Sequence, residues 1–326
     1  MLSIVIVHYK TPDLLQKCVA SIYDTTPEEM IEVIVVDNDS QDNSKELIAA
    51  QFPQVNWIDS GYNAGFARAN NMGIRAAKGE YIVLLNPDTY VVDGFFQKWL
   101  DFYKIKDANN QLGLLGCRII SSVDNSLLVG TGSGFPSWQK HLNANPIYLK
   151  FFKKKTIKKY NAHEMHNKNH EADFISGACV MIKKSKIEKH NLFLDEDFFL
   201  YSEDVEWSFR VKKKGFINYF CGEVEVFHVN SASTGHSEHK KKIMFVSELL
   251  YLYKTHSKFQ FWLFELIFNL NYKLNNWLLS RSGEVDKLET EKMYKSVFDC
   301  YLPIIKEKYK RVASSAKEYL KYVETH

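Results

Sequence analysis

The sequence predicts an α/β fold in which a largely parallel sheet is covered by helices on both faces. Two observations carry this reading. Strand-like and helix-like stretches alternate four times in the first hundred residues or so, as repeated βα units do. The strand-like stretches are also continuous apolar runs with no polar alternate positions, as expected of strands buried on both faces. A third observation sets the far end apart: roughly the last ninety residues read as helices only.

Taken in order, Ser3 to Val7 is a short β-branched strand, and Pro12 to Tyr23 follows at helical spacing through Leu14, Leu15, Cys18, Val19 and Ile22. Val33 to Val36 is a second strand, ending in Asp37-Asn38-Asp39-Ser40. A helix over Ser44 to Gln51 leads to strand Val55 to Ile58, and a third helix begins after Gly61-Tyr62-Asn63-Ala64-Gly65. The fourth strand, Tyr81 to Leu85, stops at Asn86-Pro87-Asp88, because proline cannot continue a central strand. Asp37 and Asp88 thus fall at carboxyl ends of strands, on the edge where open α/β sheets bind ligands. Asp88 there suits a divalent cation that in turn holds a phosphate. Equally, Pro-Asp makes a turn and caps the helix that Asp93-Gly94 begins.

Beyond a helix over Phe95 to Tyr103 the pattern changes. Leu112 to Ile120 and Leu127 to Phe135 read as strands, and Ser137 to Glu171 as a long polar, lysine-rich loop of the kind that is usually functional or disordered. Ala172 to Ile182 reads as one strand kinked at Gly177. Ser202 stands as the N-cap of a helix running to Lys214 and closed by Gly215, and strands Ile217 to Phe220 and Val224 to Phe227 end at His228. In Phe259 to Leu279 an apolar face recurs at Phe259, Trp262, Leu263, Leu266, Ile267, Leu270, Leu274, Trp277 and Leu278, widened by Phe261, Phe264, Phe268 and Tyr272. Its polar residues argue against a spanning helix. Packing on the chain or on a second copy is the first reading, and a membrane interface, with Lys240 to Lys242 nearby, the other.

Composition bounds the function. The 326 residues are 45% hydrophobic and 25% charged with a net charge of +3, ordinary for a globular protein and no signal for nucleic acid. The lysine runs 153–155 and 212–214 read as solvated faces, and the run 240–242 stays open between that and an anionic surface. Five scattered cysteines with no CxxC pair read as reduced thiols, mostly buried, of a cytoplasmic protein. The amino terminus reads as a first strand and not as a signal peptide.

Singly, the chemical candidates are weak. Glu203-Asp204 in a first helical turn complements a helix dipole, His228 suits a half-buried strand end, and Arg68 suits a surface. Gly61-x-x-x-Gly65 lacks the third glycine and the spacing of a dinucleotide loop, which excludes a dehydrogenase.

In order, they form a pattern. The strand Ser3-Ile-Val-Ile-Val, Val35-Val36-Asp37-Asn38-Asp39-Ser40-Gln41-Asp42, Asn63-Ala64-Gly65-Phe66-Ala67-Arg68-Ala69-Asn70-Asn71 and Leu84-Leu85-Asn86-Pro87-Asp88-Thr89 open it. Ile175-Ser176-Gly177-Ala178, Phe199-Leu200-Tyr201-Ser202-Glu203-Asp204-Val205-Glu206 through Arg210, and Phe227-His228 before Ser233-Thr234-Gly235 complete it. Together they resemble the family 2 glycosyltransferases, rhamnosyltransferase-like subgroup, over about residues 1 to 236.

The resemblance implies a GT-A fold: a Rossmann-like mixed sheet flanked by helices, with residues 237–326 as a helical extension outside it. Residues 1–100 would form the nucleotide-sugar half and 101–236 the acceptor half. It implies that Asp37 bonds a pyrimidine base and that Arg68 sits near the base or diphosphate. His8, Tyr9, Asn63, Gly65, Asn86 and Gly177 would also line the nucleotide-sugar site. Asp88 and His228 would hold Mn2+ or Mg2+, Asp204 would be the catalytic base, and Glu203 would shape a sugar site. Where much of the family has two acids at the metal, this chain has Asn86 and Asp88, and a histidine ligand favours Mn2+. The implied reaction is inverting transfer of a sugar, L-rhamnose from dTDP-rhamnose or a hexose from a UDP-hexose, to a glycan or lipid-linked acceptor in cell-surface polysaccharide synthesis. The extension would contact a second copy or the inner face of the plasma membrane. The competing reading from another class is a non-catalytic nucleotide-sugar-binding subunit. A nucleotidyltransferase would want a glycine-rich basic loop where the chain has His8-Tyr9-Lys10-Thr11-Pro12.

Overall fold

The computed structural model describes residues 1–128, 131–132, 134–143, 167–229 and 238–309. Most of the polar loop Ser137 to Glu171 with the lysine run 153–155, the Ser233-Thr234-Gly235 motif and the end of the C-terminal extension lie outside the described residues.

Strands β1 (Leu2–His8), β2 (Ile31–Asp37), β3 (Asn56–Asp59) and β4 (Tyr81–Leu85) alternate with helices α1 (Pro12–Thr25), α2 (Ser44–Gln51) and α3 (Gly65–Ala76). These four strands lie parallel in the order β3-β2-β1-β4. Successive residues of each strand enter opposite cores, the period of two of a pleated strand. Ile4, Ile6, Val33, Val35 and Val83 pack on one face with α1, while Val5, Ile34, Val36 and Ile82 pack on the other with α3. The uninterrupted apolar runs have this cause: neither face meets water.

Then follow β5 (Thr89–Tyr90), α4 (Phe95–Lys106), β6 (Leu112–Ser121), β7 (Leu127–Leu128), β8 (Thr131–Gly132), α5 (Trp138–Asn143), β9 (His170–Glu171), β10 (Phe174–Ile175), β11 (Cys179–Lys183), α6 (Lys184–His190), α7 (Glu203–Lys213) and β12 (Ile217–His228). β11 is antiparallel to β4 and to β6, β12 is parallel to β6, and β5 closes the far edge antiparallel to β12. The sheet is therefore mixed. The carboxyl ends of β1, β2, β4, β6 and β12 and the amino end of β11 share one edge.

Three expectations change. The span Ala172 to Ile182 is not one strand: β10 and β11 are separated by Ser176-Gly177-Ala178, whose backbone leaves the ladder for other partners. The two strands expected at 217–220 and 224–227 are one, β12, with a register shift between Cys221 and Glu225 where Gly222, Glu223 and Val224 leave the pairing. Ser202 does precede α7, but its side chain makes no cap; Tyr201 and Ser202 both have positive φ, 69° and 64°. Four cysteines are buried and reduced, while Cys300 is exposed.

Two compact units divide the chain, one drawn from between Met1 and Phe135 and between Tyr160 and Gly235, the other from Pro136–Lys159 and His236–His326. The second holds α5, α8 (Glu238–Thr255), α9 (Lys258–Ser282) and α10 (Val285–Lys308). A reciprocal cap of Ser257 and Gln260 starts α9: the Gln260 amide donates to Ser257 Oγ (3.2 Å) and the Ser257 amide to Gln260 Oε1 (3.0 Å). The apolar face expected to pack is mostly not the packed one. Phe261, Phe264 and Ile267 are buried, and Phe268 stacks on Phe298 at 4.3 Å, while Phe259, Trp262, Leu266 and Leu270 stay exposed. In its first three turns α9 carries large apolar side chains on both sides, so periodicity marks a stripe without saying which side meets the aromatic rings of α8 and α10.

Candidate active site

The site assembles at the shared sheet edge. At the end of β4, the Asn86 amide donates to Ala178 O (2.9 Å), and Thr89 returns both its amide (3.3 Å) and its hydroxyl (2.6 Å) to Asn86 O. This turn sends Asp88 back over the edge, where it is almost buried. Pairing of Thr89 with His228 in the β5-β12 register then brings His228 beside it. Asp88 Oδ1 lies 3.1 Å from His228 Nε2, and Asn86 Nδ2 lies 3.5 Å from the same nitrogen. One carboxylate, one imidazole and one carboxamide thus converge, although they are separated by some 140 residues. As a donor set this suits a divalent cation of borderline softness whose coordination is completed by a ligand's oxygens. No third His, Cys, Asp or Glu joins them among the described residues. Below the turn, Cys18 Sγ faces Asn86 O (3.7 Å) and Thr89 Oγ1 (3.9 Å); burial pushes its thiol up to about 12, so it stays protonated.

Asp37, at the end of β2, is two strand spacings from β4, about 10 Å. Its Oδ1 accepts the Ser40 amide at 3.2 Å, and it remains half-exposed. Next to it, Asn38 ties β2 to the start of α3: its Oδ1 accepts the Ala64 amide (2.7 Å) and its Nδ2 donates to Asn63 Oδ1 (3.0 Å), which in turn accepts the Gly65 amide (3.1 Å). Arg68, in the first turn of α3, is half-buried and makes no ion pair among the described residues. His8 is fully buried, held by Ser44 Oγ (2.8 Å) and Asp42 Oδ2 (3.3 Å). Burial lowers its pKa against the pull of Asp42 and Asp37, so it is a neutral post under the β2-α2 loop. Tyr9 is exposed beneath the Lys10 ammonium.

The second acidic corner is the start of α7. Asp204 Oδ2 accepts the Gly177 amide (3.0 Å) and Oδ1 the Val205 amide (2.8 Å). Glu203 is buried, and its Oε2 has no hydrogen-bond partner among the described residues. Burial raises both carboxyls, Glu203 further because the charge of Asp204 adds to it. Asp204 keeps backbone donors that favour its ionised form, whereas Glu203 is the member held protonated.

Close packing fixes that corner to the start of α3. Gly65 has φ +76°, and a Cβ there would meet Phe199 O at 2.4 Å; Phe66 N donates to the same oxygen at 2.7 Å. At Gly177 a Cβ would meet the Phe66 ring at 3.2 Å. The dipeptide Gly177-Ala178 therefore bonds Asp204 on one side and Asn86 on the other, setting one acidic corner against the other. Behind α7, the buried Glu206–Arg210 pair (2.7 Å) and Arg210 Nη2 to Phe193 O (2.6 Å) anchor the helix. Asn71 grips Leu194 in both directions at 2.9 Å. Asn38, Phe66, Phe199 and Asn71 carried no assigned role in the sequence reading; asparagines inside apolar helical or strand-end motifs were the available signal.

A family model described as Glycosyl transferase family 2 matches residues 3–190, more than half of the chain. The N-acetylglucosaminyl-diphospho-decaprenol L-rhamnosyltransferase of Mycobacterium tuberculosis is 24% identical over 270 residues, 76% of this chain and 84% of that protein. The mannosyltransferase PcManGT of Pyrobaculum calidifontis, solved with GDP-Man and Mn2+, superposes with a TM-score of 0.53 at 14% identity, over 99% of this chain and 86% of that one. GalNAc-T7, solved with UDP, GalNAc and Mn2+, gives 0.58 at 14% identity, over 95% of this chain and 58% of that one. The mixed sheet flanked by helices is the GT-A fold, and the chain is a glycosyltransferase that belongs to glycosyl transferase family 2.

Proposed function

We propose that this enzyme transfers L-rhamnose from dTDP-rhamnose, with inversion, to a hydroxyl of a glycan or lipid-linked saccharide in cell-surface polysaccharide synthesis. The observation that carries the reading is the pairing of two unlike acidic corners on one sheet edge, Asp88 with His228 and Asp204 with Glu203, joined through Gly177-Ala178. The rhamnosyl donor is favoured by the M. tuberculosis relative, whose name also carries a lipid-linked acceptor.

Asp204 takes the proton of the acceptor hydroxyl as its oxygen forms a bond to the anomeric carbon. The bond from that carbon to the nucleoside diphosphate breaks on the opposite face, its electron pair leaving on a phosphate oxygen, and one displacement inverts the centre. Asp88 and His228 would hold Mn2+ or Mg2+, which when bound stabilises the charge growing on the diphosphate. Asp37, with Asn38 fixing its loop, bonds the base, and Arg68 faces base or diphosphate. Glu203, kept neutral, presents one more hydrogen-bonding group to a sugar without adding charge beside the base.

The test is nucleoside diphosphate release by the purified chain with Mn2+ and a panel of dTDP-, UDP- and GDP-sugars. Release from dTDP-rhamnose above the others is expected. Preference for a UDP-hexose replaces the donor; donor binding without turnover favours the binding-subunit reading, and neither binding nor turnover of any donor overturns both.

A further inference from the structure

The exposed side of α9 has no part in the chemistry above. Phe259, Trp262, Leu266, Leu270 and Trp277 recur at spacings of three, four and seven, so they lie on one face. They span about 27 Å of helix. Phe259 is 67% exposed, Trp262 55%, Leu270 53% and Trp277 50%, values unusual for side chains of this size gathered in one row. The opposite side of the helix is already used, by Phe264 and Phe268 against Phe298. Among the described residues, most of the apolar stripe is therefore surplus to the packing of the helical unit.

Its charges say what covers it. Lys273 lies in the same row between Leu270 and Trp277, Arg281 follows one turn after Trp277 with its guanidinium 4.2 Å over that ring, and Lys258 precedes Phe259. The single carboxylate of α9, Glu265, is engaged by Lys306 at 2.7 Å. A second copy pairing through the same stripe would bring no acid in the row to meet these cations. Anionic headgroups would meet them, while the rings and leucines enter the acyl boundary and tryptophans near both ends sit at headgroup level. No described helix is long and apolar enough to cross a membrane, so contact is along the surface.

We infer that the Phe259–Trp277 face of α9 is a docking surface for an anionic lipid bilayer, on which the helix lies in the plane of the interface. The inference does not depend on the donor or on the reaction. Flotation of the full chain with vesicles of phosphatidylcholine alone, or mixed with phosphatidylglycerol, tests it. The wild type should float with the mixed vesicles. Trp262→Ser/Leu270→Ser/Trp277→Ser should lose binding by at least about tenfold, with an unchanged melting temperature because the three side chains are exposed. Lys273→Gln/Arg281→Gln gives a second reading if the triple variant misfolds: affinity for the mixed vesicles should fall about fivefold or more, and that for phosphatidylcholine should not. The inference fails if the wild type does not float with mixed vesicles, or if either variant binds them as the wild type does. It fails equally if sedimentation shows a dimer that the triple variant dissociates, since the occupant is then a second copy.

Discussion

Asp88 and Asp204 stand on the same sheet edge in opposite company. Asp88 faces an imidazole at 3.1 Å with a carboxamide alongside. Asp204 is met by two backbone amides and sits next to a buried carboxyl. An acid grouped with nitrogen and oxygen donors is arranged to share a cation. An acid raised by burial and steadied only by N–H groups is arranged to exchange a proton. In the proposed mechanism one residue type serves two tasks because strand β12 delivers a histidine to one corner and the helix α7 a second carboxyl to the other. The comparison can be broken at either corner.

The largest effect is expected at Asp204. Asp204→Asn keeps the shape and the Gly177 contact but removes the proton acceptor, so transfer should fall by about 10³-fold while donor affinity, measured by calorimetry, stays within a factor of a few. If binding and transfer fall together, Asp204 is holding the site and not doing the chemistry. Next comes Asp88. Asp88→Ala, and more mildly His228→Gln, should weaken the affinity for Mn2+, with the metal concentration for half-maximal turnover rising about 10- to 100-fold. An unchanged metal titration in Asp88→Ala would remove the metal from that corner.

Much of this contrast was legible in the sequence, and some was not. Asp88 stood out because the Asn-Pro dipeptide that ends β4 comes directly before it, whereas Asp204, which alone reads as a helix-dipole acid, gained its role only through the family resemblance. The meeting of Asp88 and His228 was legible only through family resemblance, since the β5-β12 register that creates it is a two-residue pairing with no periodic signal. Likewise Ser176 to Ala178 read as strand by composition, while their backbone bonds to Asp204 and Asn86 draw them out of the ladder. For α9 the pattern gave a helix correctly and its buried side mostly wrongly, because rings on both sides satisfy the same period.

The finest test of the comparison concerns Glu203, which is assigned the proton because burial and the charge of Asp204 raise it furthest and its Oε2 has no hydrogen-bond partner among the described residues. Its folded pKa is raised by burial and by the charge of Asp204, so the folded state binds a proton that the unfolded state releases. The associated stability is complete below the ordinary carboxylate range and is lost as pH rises through the raised folded value. Glu203→Gln carries a permanently neutral side chain of the same shape and loses nothing over that window. Wild-type stability should therefore decline relative to Glu203→Gln as pH increases, by up to about 1.4 kcal/mol per pH unit, and thermal unfolding of the two proteins across a pH series measures it. Parallel curves would mean that Glu203 is ionised in the fold. The two corners would then differ in their partners alone, and Asp204 would face a like charge that no described group offsets.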